Sequence, residues 1–402
     1  MKTLYLIQSL PRIIALKALA FVSKAAYYSR LSPVVFEKDY PSPALPSSNW
    51  VRVRNIQCGI CGSDVSLFKC TAGPKSAFEP MPIGGKVFLG HETVGVVTEA
   101  GDDVKDLKVG DRVVMMKYTS SCDNKDITPR CRFCEAGEYS MCENYGELSP
   151  HDLPLTGAGF GDEYIAPKAQ LFKIDDSMSD DDAIFLEPAA VAVHSVLRCP
   201  PNTEDKVLVY GTGVIGLCII QCLKAMYPDC KIYVPVRSKS KGELVTRMGA
   251  DVAIYGDVYE AVANETGAKL YYGMGNNRML MGGMDIIYDT LGNARATHDC
   301  IRWVRARGSY VKIGYQMNET KYDDTPIWFQ ELIIIGVSCH GMELYNGEKL
   351  SSFELAKRLY DGGTLDFSGL ITHRFPLEDY KKAFRTVIEH KSGVIKAVID
   401  CR

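Results

Sequence analysis

The hydrophobic pattern divides the chain into two parts of different texture. Between residues 50 and 173, short apolar runs at 50–56, 92–99 and 112–116 alternate with connections that are dense in glycine and proline. Short strands separated by such connections are typical of all-β structure. We therefore expect a small, partly open β-barrel in this part of the chain.

From residue 206 onward, apolar strands alternate with segments of helical periodicity. Strands are predicted at residues 206–210, 231–235, 252–254, 284–288, 309–313 and 332–337. Helices are predicted between most of them, at residues 214–226, 241–248, 258–265 and 294–304. Six strands that alternate with helices indicate a doubly wound parallel sheet, so the predicted fold class is α/β.

The C-terminal tail carries two more predicted helices, at 353–360 and 377–390, and a last strand at 394–399. Because a six-stranded sheet is already full, we expect this tail to return to the first part. The expected organisation is a first domain at 1–190 with a cysteine loop at 120–143, a second domain at 191–337, and a returning segment at 338–402.

The N-terminal stretch 4–28 is apolar, but Pro11, Arg12 and Lys17 interrupt it before it approaches the ~20 residues that a membrane span needs. A short strand at 3–7 followed by an amphipathic helix is the favoured interpretation. A secretory signal and a contact of that helix with a membrane surface are the alternatives, although no membrane partner is expected.

Composition narrows the functional classes. The chain has 402 residues, a net charge of -3 and a pI near 6.2, and its charges are interspersed, so no basic face indicates nucleic-acid binding. Some of the 14 cysteines lie alone in apolar runs and others lie at metal-ligand spacings. This usage favours a reducing compartment, and we expect a cytoplasmic protein.

A glycine-rich turn joins the strand at 206–210 to its helix. A G-x-G-x-x-G motif in this context is the fingerprint of a dinucleotide site. Its residues are Gly211, Gly213, Val214, Ile215 and Gly216. Gly292 and Gly314, which follow the strands at 284–288 and 309–313, are also assigned to the cofactor. A ligand-free glycine turn is the structural alternative.

The turn after the second strand of this part predicts which nicotinamide cofactor binds. An NAD site places Asp or Glu about 20 residues beyond the last glycine, where it accepts from the ribose 2′-hydroxyl. This chain has Val236 there, followed by Arg237, Ser238, Lys239 and Lys241. These side chains can bind a 2′-phosphate and favour NADP. A solvated basic turn at a helix start is the alternative.

Two constellations predict metal sites. Cys61, Ser63 and Asp64 follow the strand at 50–56, and His91 and Glu92 lie downstream. A thiolate, an imidazole and a carboxylate suit an open zinc site, with Glu187 as another candidate carboxylate.

The second constellation combines Cys131, Cys134 and Cys142 with Cys122, nine residues before Cys131. Several cysteines in one loop predict a closed structural zinc site. A redox-active C-x-x-C pair is the alternative.

In combination these motifs resemble the medium-chain zinc-containing dehydrogenase family over nearly the whole chain after Ser32. The resemblance rests on 59–64, 90–92, the cysteine loop, 186–194 and the glycine turn. The Glu187-Pro188 pair is most similar to the branch of polyol, threonine and glucose dehydrogenases. The resemblance implies a GroES-like barrel domain with a Rossmann domain, and a homodimer or homotetramer.

By this resemblance, Cys61 and His91 bind a catalytic zinc together with Glu92 or Glu187, and Asp64 orients His91. Cys58 is not implied as a ligand. Two positions depart from the family. Ser66 replaces a histidine that often relays the proton in the family. The proton relay would then run through Ser63, the cofactor ribose and water, or through Glu92 or Glu187. An insertion after Cys122 lengthens the zinc loop, and a loop without metal is the alternative if Cys122 is not its first ligand.

The sequence therefore predicts an enzyme that transfers a hydride between NADP(H) and a small alcohol or polyol, or its aldehyde or ketone. An NAD-dependent polyol or sugar dehydrogenase is the alternative, and a nucleotide-binding relative without zinc chemistry is a third. Tyr118 and Phe160 are candidate walls of the substrate pocket or ordinary core aromatics.

Overall fold

The computed structural model describes residues 1–73, 75–77, 85–116, 121–147, 156–389 and 393–402. The strands are β1 (Thr3–Ile7), β2 (Val34–Glu37), β3 (Trp50–Gly59), β4 (Lys86–Phe88), β5 (Glu92–Ala100), β6 (Arg112–Met115), β7 (Glu163–Pro167), β8 (Leu171–Ile174), β9 (Lys206–Tyr210), β10 (Lys231–Pro235), β11 (Val252–Ile254), β12 (Lys269–Tyr272), β13 (Arg278–Met281), β14 (Met284–Asp289), β15 (Val304–Lys312), β16 (Ile333–Gly336), β17 (Met342–Tyr345), β18 (Glu348–Ser351), β19 (Ile371–Pro376) and β20 (Lys396–Asp400).

The α-helices lie in both halves of the chain, and the short ones cluster in the first half. They are α1 (Leu10–Val22), α2 (Gly62–Phe68), α3 (Cys122–Lys125), α4 (Arg132–Glu135), α5 (Asp180–Ala183), α6 (Leu186–Arg198), α7 (Val214–Met226), α8 (Lys239–Arg247), α9 (Val258–Thr266), α10 (Ala294–Trp303), α11 (Thr325–Phe329), α12 (Ser352–Asp361) and α13 (Tyr380–Ile388). Short 3-10 turns lie at Lys24–Tyr28, Tyr139–Met141, Lys168–Gln170, Met274–Asn276 and Leu377–Asp379.

The chain forms two compact units, residues 1–187 with 367–402 and residues 188–366. In the first unit, described strands form a sheet in the order β19-β20-β3-β5-β6-β8, and β7 also pairs with β3. Its strand pairs are antiparallel except β19 with β20. The predicted β-rich domain is confirmed.

The pairing of three strands in this unit positions a site. β5 runs antiparallel to β3, with Gly59 opposite Glu92. β20 lies on the other side of β3, with Val398 opposite Gly59. The residues that follow Gly59, precede Glu92 and begin β20 therefore converge at one end of the sheet.

The N-terminal segment is part of the same unit. β1 lies between β2 and β4 in a three-stranded sheet, and α1 follows it, as the sequence predicted. Leu4, Leu6 and Leu16 pack in a core cluster with residues of α13 and β20. Among the described residues, no helix has the length and apolar character that a membrane crossing requires.

The second unit, all of whose residues are described, contains the predicted doubly wound sheet. Six parallel strands follow the order β11-β10-β9-β14-β15-β16, which is that of a dinucleotide-binding fold. Two surface hairpins, β12–β13 and β17–β18, were not predicted from the sequence.

The C-terminal return begins later than the expected residue 338. Residues 338–366 stay with the second unit, and only residues 367–402 join the first. Hydrogen bonds hold residues 338–366 to the second unit. Glu343 on β17 accepts hydrogen bonds from Ser352 (2.6 Å) and lies 2.7 Å from Nδ1 of His194 on α6. Farther along, the amide of Asp366 donates to Gln221 on α7 (2.6 Å).

Candidate active site

Three metal-binding side chains meet where β3, β5 and α2 come together. Cys61 precedes α2, and His91 and Glu92 lie at the start of β5. One ligand atom from each lies within 4.8 Å of the other two. His91 and Glu92 are buried, and Cys61 is half-buried. One thiol, one imidazole and one carboxylate form a donor set that suits zinc and leaves a fourth position for another ligand.

Asp64 holds the backbone at Cys61 and Gly90 and orients the imidazole ring of His91. Its carboxylate is buried and accepts hydrogen bonds from the amides of Cys61 (3.0 Å) and Gly90 (3.1 Å). Oδ1 of Asp64 also lies 3.5 Å from Nδ1 of His91. A carboxylate at Nδ1 leaves Nε2 of the imidazole for a metal, which is the arrangement that orients histidine ligands in zinc sites.

Lys396 is a functional candidate that sequence reasoning missed. Its buried ammonium forms an ion pair with Oε2 of Glu92. Burial works to lower the pKa of this lysine, but the neighbouring anions, first of all Glu92, raise it above its ordinary value. The lysine therefore stays charged and offsets the negative charge of the donor set.

Gly59 leaves the room in which this ion pair sits. A Cβ at Gly59 would lie 2.5 Å from Oε2 of Glu92 and 3.2 Å from Cδ of Lys396. The signal that could have revealed Lys396 is a single cation inside an apolar strand, since lysine is rarely buried without a partner.

The other two predicted catalytic residues, Glu187 and Ser63, lie outside the close group of donors. Glu187 is buried in the first turn of α6, and its charge contributes to the raised pKa of Lys396. It is not part of the close group formed by Cys61, His91 and Glu92 among the described residues. Ser63 lies in the first turn of α2 and is half-buried.

The cysteine loop brings its four thiols together. Sγ atoms of Cys122, Cys131, Cys134 and Cys142 all lie within 4.8 Å of one another. The separations are 3.7 Å from Cys122 to Cys142 and 3.9 Å from Cys131 to Cys142. Four sulfurs around zinc at ~2.3 Å would be about 3.8 Å apart, so the loop fits a tetrathiolate zinc site.

The insertion after Cys122 does not displace this thiol. The amide of Ile127 donates to the carbonyl of Cys122 (2.9 Å), and Ile127 packs against the thiol cluster. The amide of Cys131 then donates to Sγ of Cys122 (3.4 Å). The inserted residues thus fold back as a turn, and Cys122 and Cys131 stay adjacent.

Hydrogen-bond donors and a buried lysine stabilise negative charge on the thiols of the cysteine loop. Burial opposes ionisation of Cys131, but amide and thiol donors, first of all the amide of Cys134, lower its pKa to about 6. The buried Lys125 donates hydrogen bonds to the carbonyls of Asn144 and Tyr145, at 2.6 Å each. The charge of Lys125 also interacts with the thiols of Cys142 and Cys122.

The glycine turn of the second unit has the expected geometry. Gly211 adopts φ +125°, and a Cβ there would lie 2.1 Å from Oγ1 of Thr290. A Cβ at Gly216 would lie 2.0 Å from the carbonyl oxygen of Gly211, so only glycine allows this close packing. Gly213 caps α7 without a side chain and has open space around it. Unsatisfied amides facing open space can bind a pyrophosphate.

Gly292 and Gly314 lie against each other just beyond the ends of β14 and β15. A Cβ at Gly292 would lie 2.0 Å from the carbonyl of Gly314. Asp289 holds the turn by accepting from the amides of Leu291 (2.8 Å) and Gly292 (3.1 Å). Two strand ends are thus kept open along the edge where dinucleotides bind in this fold.

The basic turn after β10 forms the start of α8. Ser238 is the N-cap, and its hydroxyl accepts from the amide of Lys241 (3.3 Å). Arg237 and Lys239 are exposed, and Lys239 lies 3.9 Å from Glu243. Burial lowers the pKa of the half-buried Lys241. The cations are brought together at a helix start, with no acidic side chain in its first turn.

Of the two aromatic pocket candidates, Phe160 is a core residue. It is fully buried and contacts Phe384 edge-on, with ring centroids 5.9 Å apart. Tyr118 lies outside the described residues.

Comparison with known proteins places the chain in a family. The family profile described as "Alcohol dehydrogenase GroES-like domain" matches residues 47–176, and the profile described as "Zinc-binding dehydrogenase" matches residues 214–352. A probable D-xylulose reductase A from Aspergillus fumigatus is 30% identical over 356 residues, covering 88% of this chain and 90% of the relative. An L-idonate 5-dehydrogenase from Vitis vinifera is 28% identical over 339 residues, covering 84% of each chain.

A solved structure shares the fold. The 2R,3R-butanediol dehydrogenase from Bacillus subtilis has a TM-score of 0.68 at 24% identity, covering 91% of this chain and 96% of that one. The predicted barrel and Rossmann domains and the motif-based resemblance are confirmed. The chain belongs to the medium-chain zinc-containing alcohol and polyol dehydrogenase family.

Proposed function

We propose that this chain is an NADP-dependent zinc dehydrogenase that interconverts a polyol and its ketose or aldehyde. The observation that carries the proposal is the close group of Cys61, His91 and Glu92. In a chain of this family, a mixed donor set with one position left over supports metal-assisted chemistry on an alcohol oxygen. A bound zinc supplies Lewis acidity that lowers the pKa of that alcohol.

We assign Cys61, His91 and Glu92 as the protein ligands of this zinc. Proximity favours Glu92 over Glu187, since Glu187 is outside the close group. Glu92 binds Lys396 through Oε2, which leaves Oε1 for a metal. Asp64 and Lys396 act as positioning residues, because each holds a proposed ligand in place.

The proposed proton path uses the remaining polar residues of the site. Ser63, two residues after Cys61, carries a hydroxyl that can both accept and donate a proton. Glu187 supplies a buried carboxylate that can hold a proton when alcohol is oxidised. Ser66 takes no part in this assignment, because it replaces the histidine that often relays the proton in the family.

We propose a second zinc at Cys122, Cys131, Cys134 and Cys142. Four thiolates fill the coordination of zinc, so this ion stabilises the loop and binds no substrate. The sulfur separations and the backbone amides directed at sulfur support this assignment.

The substrate class follows from the relatives. The relatives are named D-xylulose reductase and L-idonate 5-dehydrogenase, names that indicate polyol and sugar-acid substrates for those proteins. We propose a polyol or ketose as the substrate of this chain, and a small secondary alcohol as the alternative.

NADP is the proposed cofactor because of the start of α8. Cations near a helix N-terminus oppose its dipole, whereas an anion there is stabilised. Arg237, Lys239 and Lys241 therefore raise the energy of an empty turn, and a 2′-phosphate would lower it. Charge-assisted hydrogen bonds of about 1.5–3 kcal/mol would favour NADP by roughly tenfold to a hundredfold.

The test is steady-state kinetics with NADPH and NADH on a panel of ketoses. We expect kcat/KM to be higher with NADPH. Replacing Val236 by Asp together with Arg237→Ala should reverse the preference, since the new carboxylate repels the phosphate and accepts from a free 2′-hydroxyl. Arg247→Ala, at the other end of α8, is the matched control and should leave the preference unchanged. A wild-type preference for NADH would make the turn a solvated helix start, and an NAD-dependent enzyme would replace the proposal.

Assembly and location complete the proposal. The edge strand β16 exposes Ile333 and Ile334 by 52% and 43%, and an apolar strand edge is a surface on which a second sheet can pair. We propose a homodimer, with a homotetramer as the alternative. All 14 cysteines have free thiols, which supports the cytoplasm as the location.

A further inference from the structure

The outward face of α1 is apolar, which is the reverse of an ordinary surface helix. Leu10, Ile14, Ala18, Phe21 and Val22 are spaced so that they share one face of about 120°. Phe21 is 94% exposed and Val22 is 84% exposed. We call these five residues the α1 apolar face. An apolar face directed at solvent marks a site of contact.

The opposite face of α1 fixes the helix to the protein. Leu16 is fully buried, and Ile13 and Ala20 pack against the same core cluster. β1 before the helix and β2 after it pair in one sheet. The helix is therefore held along the surface at both ends and in the middle, and its exposed face cannot turn inward without breaking that core.

The segment that carries this face has charges of one sign in its own sequence, and the acidic residues near it belong to other segments, where Glu378 pairs with Lys2. Residues 1–36 contain no Asp or Glu and five cations, Lys2, Arg12, Lys17, Lys24 and Arg30. On the helix, Arg12 and Lys17 flank the α1 apolar face on its two sides. Lys17 donates to the carbonyl of Ala72 (2.6 Å) and keeps its exposure, and within the described residues Arg12, Lys24 and Arg30 form no ion pair.

We propose that the α1 apolar face docks on the surface of an anionic lipid bilayer. An exposed apolar face bordered by cations and lying parallel to the protein surface is the form in which helices bind a membrane interface. Phe21, Ile14 and Val22 enter the boundary between headgroups and acyl chains. Arg12 and Lys17 reach the lipid phosphates from either side.

A second copy of the chain fits this face less well. A two-fold contact would bring the α1 apolar face of each copy together, and with it the two sets of cations. Like charges at the rim of such a contact destabilise it. Anionic headgroups satisfy both the apolar face and the cations.

The test uses the full-length, zinc-loaded protein and two kinds of vesicle, phosphatidylcholine alone and phosphatidylcholine with phosphatidylserine. We expect the protein to float with the anionic vesicles at low salt and to be released by added salt. Ile14→Ser with Phe21→Ser should lower the bound fraction by roughly tenfold or more, and so should Arg12→Glu with Lys24→Glu. Val109→Ser, a change at another exposed apolar residue of the same unit (65% exposed), should bind as the wild type does.

Two further readouts keep the test decisive. Turnover of each variant in solution should equal that of the wild type, because none of these residues belongs to the proposed active site. Phe21→Trp should show a blue-shifted emission when anionic vesicles are added. Failure of the wild type to float would overturn the proposal, as would flotation that survives Ile14→Ser with Phe21→Ser. Sedimentation in which that variant forms a smaller assembly than the wild type would show that a second copy covers the face, and would also overturn it.

Discussion

The two cysteine-containing clusters of the first unit use different donors on different frameworks. Cys61, His91 and Glu92 bring one thiol, one imidazole and one carboxylate from the ends of paired strands. The loop cluster brings four thiols from a single stretch, Cys122 to Cys142. Zinc takes four ligands, so a zinc held by the mixed cluster would keep one position for substrate and a zinc held by the loop cluster would keep none.

The two clusters also use their buried lysines differently. Lys396 pairs with Glu92, one of the donors themselves. Lys125 donates to the backbone carbonyls of Asn144 and Tyr145 at 2.6 Å each, and its charge acts on the thiols through space. A lysine paired with a proposed ligand carboxylate can tune the charge of that ligand, which is useful where the ligands would have to change during turnover. A fixed background charge is sufficient where the metal only holds a loop together.

The largest expected effect follows from removing the single thiol of the mixed cluster. Cys61→Ser should lower kcat by roughly a thousandfold or more, because the alcohol loses its Lewis acid. Zinc content should fall by one ion per chain, with the far-ultraviolet circular dichroism unchanged. Cys58→Ser, at a buried cysteine three residues earlier, is the control and should retain both zinc ions. Full turnover by the metal-free Cys61→Ser protein would remove the distinction between the clusters.

The second effect concerns the support of the mixed cluster. Asp64→Asn keeps the shape but weakens the orientation of His91, and we expect zinc affinity or kcat to fall by roughly 10–100-fold. Asp111→Asn is a suitable control, since Asp111 is also buried in this unit but pairs with Lys173. It should reduce stability and leave zinc affinity unchanged. Equal effects of the two changes on zinc affinity would mean that Asp64 serves only the fold.

The loop cluster should respond in stability rather than in chemistry. Cys134→Ser should lower Tm by roughly 5–10 °C, because zinc binding to a closed site stabilises the folded loop. We expect kcat at a temperature where the variant is folded to stay within about twofold of the wild type. Cys70→Ser, at a buried cysteine outside the cluster, should keep the second zinc. A Cys134→Ser variant that loses turnover but not stability would assign the chemistry to the loop.

The smallest effect is expected at the background charge of the loop. Lys125→Met leaves two carbonyls without their donor and the thiolates without their counter-charge, so Tm should fall by a few degrees, roughly half of the Cys134→Ser shift. Calorimetry with and without a chelator measures this shift. If the chelator abolishes the difference between variant and wild type, the lysine acts through the metal. A difference that persists without metal would give it a purely structural role.

Much of the second unit was predictable from the sequence because the central strands of its sheet, β9, β10 and β14, are buried apolar runs. β9, β10, β11 and α7 have the predicted bounds, since a glycine or a polar residue stands at the start of each apolar run. The hairpin β12–β13 was missed because half of its residues are exposed and its apolar positions show no alternation. The start of the C-terminal return was missed because the hydrogen bonds of Glu343 and Asp366 join distant segments.

The candidate active site was predictable where its residues lie in local motifs. Cys61, His91 and Glu92 each follow or precede a recognisable strand, and the structure brings them together. Lys396 could have been noticed as a cation in an apolar strand, but its partner was not predictable. The ion pair depends on the register of β20 against β3, and Lys396 and Glu92 are 304 residues apart in the chain. The choice between Glu92 and Glu187 as the carboxylate ligand likewise depends on distances in the folded chain, which the sequence does not give.

The most direct test of the account is a titration of zinc against turnover in the wild-type protein, with an NADP-linked polyol or ketose as substrate. We predict two zinc ions per chain with separate consequences. Loss of the ion bound by Cys61, His91 and Glu92 should abolish turnover with little change in Tm, and adding one equivalent of zinc should restore it. Removing the second ion should lower Tm. Undiminished turnover by protein that holds no zinc, or turnover that tracks only the ion bound by the cysteine loop, would contradict the account.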